Sequence, residues 1–183
     1  ILSHLQLPEG SGDLAEWKEM VDTVCNLTKT TEVTVVGKYI ELTDAYKSIY
    51  EALTHAGIAY NVDVKFRKVS SEAVEKEGVE ALLGGSQAIL VPGGFGDRGI
   101  EGKISAIRYA RENSIPFFGI CLGMQCACIE FGRNIMGLEG AHSSEFDKDT
   151  PHPVIDLMAD QNDVTEKGGT MRLGAYPCDL ADG

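Results

Sequence analysis

The chain has 183 residues, 43% of them hydrophobic and 24% charged, with a net charge of −12. That length suits one domain with a real core, and the composition is that of a globular protein with no apolar run long enough to span a membrane. The acidic balance argues against a nucleic-acid binder, because nothing here would release counterions from a phosphate backbone; a small anion could still be held by a local patch or a helix N-terminus.

In chain order, "ILSHLQL" reads as the tail of something preceding, and "LPEGSGD" (7–13) as a linker rich in turn formers. The N-terminus has neither a basic start nor a signal-like apolar core. Residues 13–29 place Leu14, Trp17, Val21 and Val24 on one stripe, which predicts an amphipathic helix. A strand is expected at 32–37 and a helix at 43–57, with Thr43 as N-cap and Gly57 as stop. Strand 60–69, helix 71–85, strand 87–94, helix 100–113, strand 116–121 and helix 122–134 follow. Such alternation points to a parallel sheet covered by helices on both faces. Beyond residue 134 the pattern loosens into loops with short strands, including "AHSSEFDKDTPHPVIDLM" and "GGTMRLGAYPC".

In such sheets, sites gather beyond the carboxyl ends of the strands. Two glycine-rich stretches fall there, "VPGGFGDRG" and "GICLG". The first contains G-x-G-x-x-G at Gly94, Gly96 and Gly99, but follows the third strand of the unit and lacks an acidic residue at the distance a ribose needs. Nor is it a Walker A loop, since no Ser or Thr follows Lys103. So many glycines fit a backbone that approaches a ligand closely, with N–H groups free to donate.

The second stretch, Gly119-Ile-Cys121-Leu-Gly123, has the form of the nucleophile elbow G-x-S-x-G with Cys in place of Ser. Side chains at the two glycines would collide with neighbouring backbone in so tight a turn. The thiol is lifted above the sheet edge at a helix N-terminus, where the dipole favours thiolate, and the next N–H, that of Leu122, is free to bind an oxyanion. The alternative is a buried Cys ending a core strand. The other cysteines (25, 126, 128 and 178) show no paired spacing, and Cys126 and Cys128 point to different sides of a helix. They read as reduced thiols, mostly small core hydrophobes, with no metal site. A cysteine nucleophile needs a base, usually His. His4 lies in the linker, His55 ends an early helix, and His142 and His152 flank a loop with no acid obviously placed to orient either.

"VPGGFGDRGIEGKI", "PFFGICLGMQ", "SSEFD", "HPVIDLM" and "GGTMRLGAYPC" together resemble the glutaminase domain of the CTP synthase family, a branch of the class I glutamine amidotransferases; "VGKYIELTDAYKSIYEALTHAG" resembles its first strand and helix. The resemblance implies a flavodoxin-like α/β fold. Residues 1–12 would be a linker from a preceding synthase (amidoligase) domain, and 13–183 an amidotransferase domain cut before its C-terminal segment. It further implies that Cys121 attacks the side-chain amide of glutamine, and that the ammonia aminates UTP to CTP in an ATP-dependent synthase domain. By position, Gly94 and Leu122 would form the oxyanion hole. Gly94, Leu122, Gly123, Met124, Gln125, Glu145 and Arg172 would bind glutamine, with Glu145 at its α-amino group and Arg172 at its carboxylate. No cofactor or metal is expected in this domain; ATP, UTP, Mg and a GTP activator belong to the full-length enzyme. The partners implied are glutamine, the synthase domain and copies of the chain in a homo-tetramer, in the cytoplasm, with no nucleic acid or membrane. The family's catalytic His and Glu lie in an H-x-E segment after "GGTMRLG", which this sequence does not reach, so the chain alone is expected to be nearly inactive. Two readings stand beside this one: another cysteine-elbow hydrolase, or a non-catalytic module that binds glutamine or a partner domain.

Overall fold

The computed structural model describes residues 2–8 and 12–157. Its centre is a four-stranded parallel sheet in the order β2-β1-β3-β4. β1 (Lys29–Gly37) and β2 (Val62–Ser70) pair along their whole length, from Lys29 opposite Val62 to Gly37 opposite Ser70. β3 (Ile89–Val91) pairs with β1 through Thr34 and Val35, and β4 (Phe117–Gly119) with β3 from Ile89–Phe117 to Val91–Gly119. The strand order reverses between β1 and β3, the point where open α/β sheets place their sites.

Alternation along the strands divides the core into two layers. Val35 and Leu90 face one way, packing with Tyr46 and with Ile49 and Leu53 of α2 (Lys47–Ala59). Val36, Ile89 and Val91 face the other, against α5 (Ile100–Glu112) and α6 (Leu122–Asn134). Leu83, Ile89 and Ile129 are fully buried in this second layer, each worth about 1.5–3 kcal/mol. α5 and α6 are joined by a bidentate pair, Arg111 to the buried Glu130, at 2.8 and 3.1 Å. A two-stranded parallel ribbon, β5 (His142–Ser143) and β6 (Pro153–Ile155), leans on α6 where Gly132 leaves room for Ala141 and Val154.

Several expectations need correction. Thr43 opens a 3-10 turn, Thr43–Tyr46, with no side-chain cap. Gly57 does not stop α2: it lies buried inside the helix, where a methyl group would overlap the Val62 carbonyl oxygen, so it is a packing glycine. The helix expected at 71–85 breaks at Gly78, whose φ of 90° no other residue adopts easily, into α3 (Ser71–Glu77) and α4 (Val79–Leu83). In α1 (Ala15–Cys25) the stripe of Leu14, Trp17, Val21 and Val24 is exposed, Trp17 by 64%. Nor are the thiols mostly in the core: among the described residues only Cys126 is buried, while Cys25, Cys121 and Cys128 are exposed. Cys128 follows Cys126 by two positions and so turns outward, toward Met124. Arg172, Cys178 and "GGTMRLG" lie outside the described residues. Among the described residues no helix is long and apolar enough to cross a membrane, and no three His, Cys, Asp or Glu side chains are grouped to hold a metal.

Candidate active site

β3 and β4 end side by side, and the Ile120 N–H extends their ladder by one bond to the Val91 carbonyl at 3.0 Å. The chain then reverses at Cys121, with φ 51° and ψ −110°, and α6 begins at Leu122. Holding a non-glycine residue there costs about 1–3 kcal/mol, and such strain collects at functional sites. The turn is locked on both sides: Gly123 N–H donates to Ile120 O at 2.9 Å, and Gln125 N–H to Cys121 O at 3.0 Å.

The glycines of "GICLG" are dictated by contact, as the sequence reading expects. A methyl group on Gly119 would stand 2.7 Å from the Gly123 carbonyl carbon and 2.8 Å from Met124 N. One on Gly123 would overlap the Val91 carbonyl oxygen. Strands β3 and β4 and the first turn of α6 thus touch backbone to backbone, and the thiol is left exposed at the sheet's carboxyl edge.

The second glycine turn meets the first. A methyl on Gly93 would lie 3.4 Å from Cys121 Cβ, and one on Gly94 3.8 Å from Leu122 Cδ2. Neither the Gly94 N–H nor the Leu122 N–H donates to a backbone acceptor among the described residues. Left-handed geometry in this loop belongs to Gly96 (φ 77°) and Gly99 (φ 78°), not to Gly93 or Gly94. Lys38, just past β1, ties the loop down by donating from Nζ to the Phe95 carbonyl at 3.0 Å.

Of the remaining expected residues, Leu122 and Gly123 are buried, Gln125 is half-buried on the first turn of α6, and Met124 is exposed. Glu145 is exposed on the loop after β5, its N–H on Ser143 Oγ at 3.2 Å. That loop is clamped to the helices: Arg133 donates from Nε to Ala141 O at 2.6 Å and binds both Glu101 carboxylate oxygens at 2.9 and 3.0 Å. His142 is committed to the same clamp. Its Nδ1 accepts the Ser143 N–H at 2.8 Å, and its Nε2 lies 3.7 Å from Glu101. Burial holds the His142 pKa below the usual histidine value, with Arg133 adding to the effect and Glu101 and Asp147 opposing it. His4 and His55 are exposed on other parts of the chain, and no hydrogen bond joins Cys121 to any described histidine.

Two lysines escaped the sequence reading. Lys38 carries no pattern that marks it. Lys103 does, because it sits on the inward stripe of α5 with Ile100, Ile104 and Ile107, a charge at a core position. A groove of about 840 Å³ between α1 and the end of α2, lined by Lys18, Asp22, Asn26 and Asn61 among others, lies near the start of β1 and β2, at the edge of the sheet opposite Cys121.

Parallel sheet, strained cysteine elbow and facing glycine turn define a class, and the comparison with known families agrees. The chain belongs to the class I glutamine amidotransferase family, whose model matches residues 41–183. Similar proteins within it include CTP synthases. The chain is 58% identical over 183 residues to the CTP synthase of Caldanaerobacter subterraneus subsp. tengcongensis and 57% identical to that of Geobacillus kaustophilus. It spans 34% of the length of each. Among solved structures it is similar to the glutaminase domain of Trypanosoma brucei CTPS with bound acivicin, with 42% identity and a TM-score of 0.67 over 73% of this chain and 52% of that one.

Proposed function

We propose that this domain hydrolyses the side-chain amide of glutamine through a thioester on Cys121. The observation that carries the reading is the Cys121 elbow: a strained, exposed thiol against a loop whose Gly94 N–H, like that of Leu122, makes no backbone hydrogen bond among the described residues. The thiolate attacks the amide carbon, and the carbonyl oxygen becomes an oxyanion between the Gly94 and Leu122 N–H groups. Collapse breaks the C–N bond, and the leaving nitrogen takes a proton and departs as ammonia. Water then adds to the thioester and gives up a proton, and glutamate leaves as the thiolate is restored.

Free glutamine is a zwitterion, so its pocket needs an anion and a cation beside the nucleophile. Glu145 supplies the first and Arg172 the second, with Gly123, Met124 and Gln125 lining the first turn of α6. His142 is spent on its own loop and no described histidine is hydrogen-bonded to Cys121, which supports a base for both half-reactions supplied from outside residues 12–157.

Ammonia released here feeds the ATP-dependent amination of UTP to CTP in a synthase domain of the same polypeptide, with Mg and a GTP activator, in a cytoplasmic homo-oligomer. The similarity to CTP synthases supports this, and the exposed apolar stripe of α1, Trp17 included, is a surface suited to such a partner. Residues 1–12 then serve as linker and 13–183 as the glutaminase domain. The test is glutamine hydrolysis by the full-length enzyme and its Cys121→Ser variant, followed as glutamate and ammonia. The variant should melt like the parent and release neither product; retained hydrolysis would assign the nucleophile elsewhere.

A further inference from the structure

Lys103 is fully buried on the stripe that α5 turns toward the sheet. Packing alone does not call for it, because a methionine would fill similar space without the cost of burying an ammonium. Its position is specific. A methyl group on Gly94 would stand 3.7 Å from Lys103 Nζ and 3.8 Å from Leu122 Cδ2, so the ammonium, the glycine loop and the first residue of α6 meet at one spot.

A second cation faces the same loop. Lys38 Nζ holds the Phe95 carbonyl and lies 3.3 Å from where a Gly96 methyl would be. Burial is the main influence that lowers the Lys103 pKa; the Cys126 thiol acts against it, and the Lys38 charge adds to the lowering. The loop between them is half-buried at Gly93 and Gly94 and exposed from Phe95 to Arg98, and two like charges facing it are relieved by an anion formed on its Gly94 side.

We propose that Lys103 is a positioning residue for the oxyanion, acting through Gly94: its ammonium backs the loop and presents a fixed positive field where the tetrahedral intermediate carries negative charge. This rests on the reading of Cys121 as a glutaminase nucleophile. Ground-state glutamine has a neutral amide, so the field favours the transition state over the substrate and acts on kcat more than on KM.

The experiment compares Lys103→Met and Lys103→Arg in the full-length enzyme, with Cys121→Ser in parallel. Lys103→Met should lower kcat for glutamine hydrolysis by about 10- to 100-fold, less than loss of a direct oxyanion donor. Its KM should stay within about threefold, and its melting temperature should be unchanged or higher, since a buried charge has been removed. Lys103→Arg should recover most of the lost kcat. A structural lysine would behave in the opposite way, with a lowered melt and no rescue by arginine. Normal kcat in Lys103→Met overturns the inference, as does a loss of kcat that arginine fails to rescue, or failure of both variants to melt cooperatively. Hydrolysis surviving in Cys121→Ser would instead overturn the glutaminase reading, whatever Lys103 does.

Discussion

Substituting Gly123 by alanine tests the elbow at its tightest contact. The added methyl would overlap the Val91 carbonyl oxygen and lie 2.8 Å from its carbon and 3.1 Å from Val91 Cβ. Val91 is fully buried and paired to Gly119, so the strand cannot yield and α6 must move away. Restoring van der Waals distance takes a displacement of about 1 Å in a close-packed interior. Overpacking of this kind costs about 1–3 kcal/mol. Alanine returns about 1 kcal/mol of helix propensity. The net loss is then about 0–2 kcal/mol, or a melting temperature lower by up to roughly 8 °C. Turnover should suffer more than stability, because Cys121 moves with the helix relative to Gly94, and a shift of about 1 Å can cost 10²-fold. Calorimetry and steady-state glutaminase assays on the same preparation give both values. A Gly123→Ala enzyme with parental melt and parental kcat would refute backbone contact between α6 and β3 as the basis of the elbow.

Gly94 offers a contrast in the same assay: alanine there meets only ordinary contacts at 3.7 and 3.8 Å and should be tolerated, whereas Gly94→Pro removes the N–H and should slow turnover by about 10²–10³-fold. Arg111→Met strips the buried Glu130 of its bidentate partner and should lower the melting temperature more than Arg108→Met, whose partner Glu112 is exposed; calorimetry compares them. His142 is held below the usual histidine pKa, so the unfolded chain binds its proton more readily. Its contribution to stability is therefore present above an unfolded pKa of about 6.5 and lost as pH falls through the lowered folded value. Melts across that range should show a smaller acid-side decline in His142→Gln, and an unchanged decline would remove His142 as a cause.

The site was legible in the sequence where chemistry and backbone geometry coincide. Gly119, Cys121 and Gly123 could be read because a strand-to-helix turn with a lifted side chain permits few residues beside it. Periodicity could assign α5 and α6, whose inward stripes are mostly apolar apart from Lys103 and Glu130, but not the role of individual glycines. Gly57 and Gly78 look alike in sequence, yet one is a packing contact inside a helix and the other a break with positive φ. The difference lies in tertiary neighbours, Val62 in one case and open space in the other. The stripe of α1 was readable as apolar, but no local pattern says whether such a face is covered. The clamp of Glu101, Arg133 and Ala141 joins two helices and a loop and leaves no trace in spacing. Lys103 left a trace, a charge among isoleucines, whose meaning required the Gly94 loop to be placed beside it.

Cys121 is proposed as a glutamine-directed nucleophile. The most direct measurement is reaction of the folded protein, its cooperative melt checked beforehand, with a glutamine analogue bearing a halomethyl ketone in place of the amide, followed by peptide mass mapping. A single addition is expected, on Cys121, suppressed by excess glutamine and absent from Cys25 and Cys128, which are also exposed. Labelling spread over the exposed thiols and indifferent to glutamine, or no labelling of a folded protein, would contradict it.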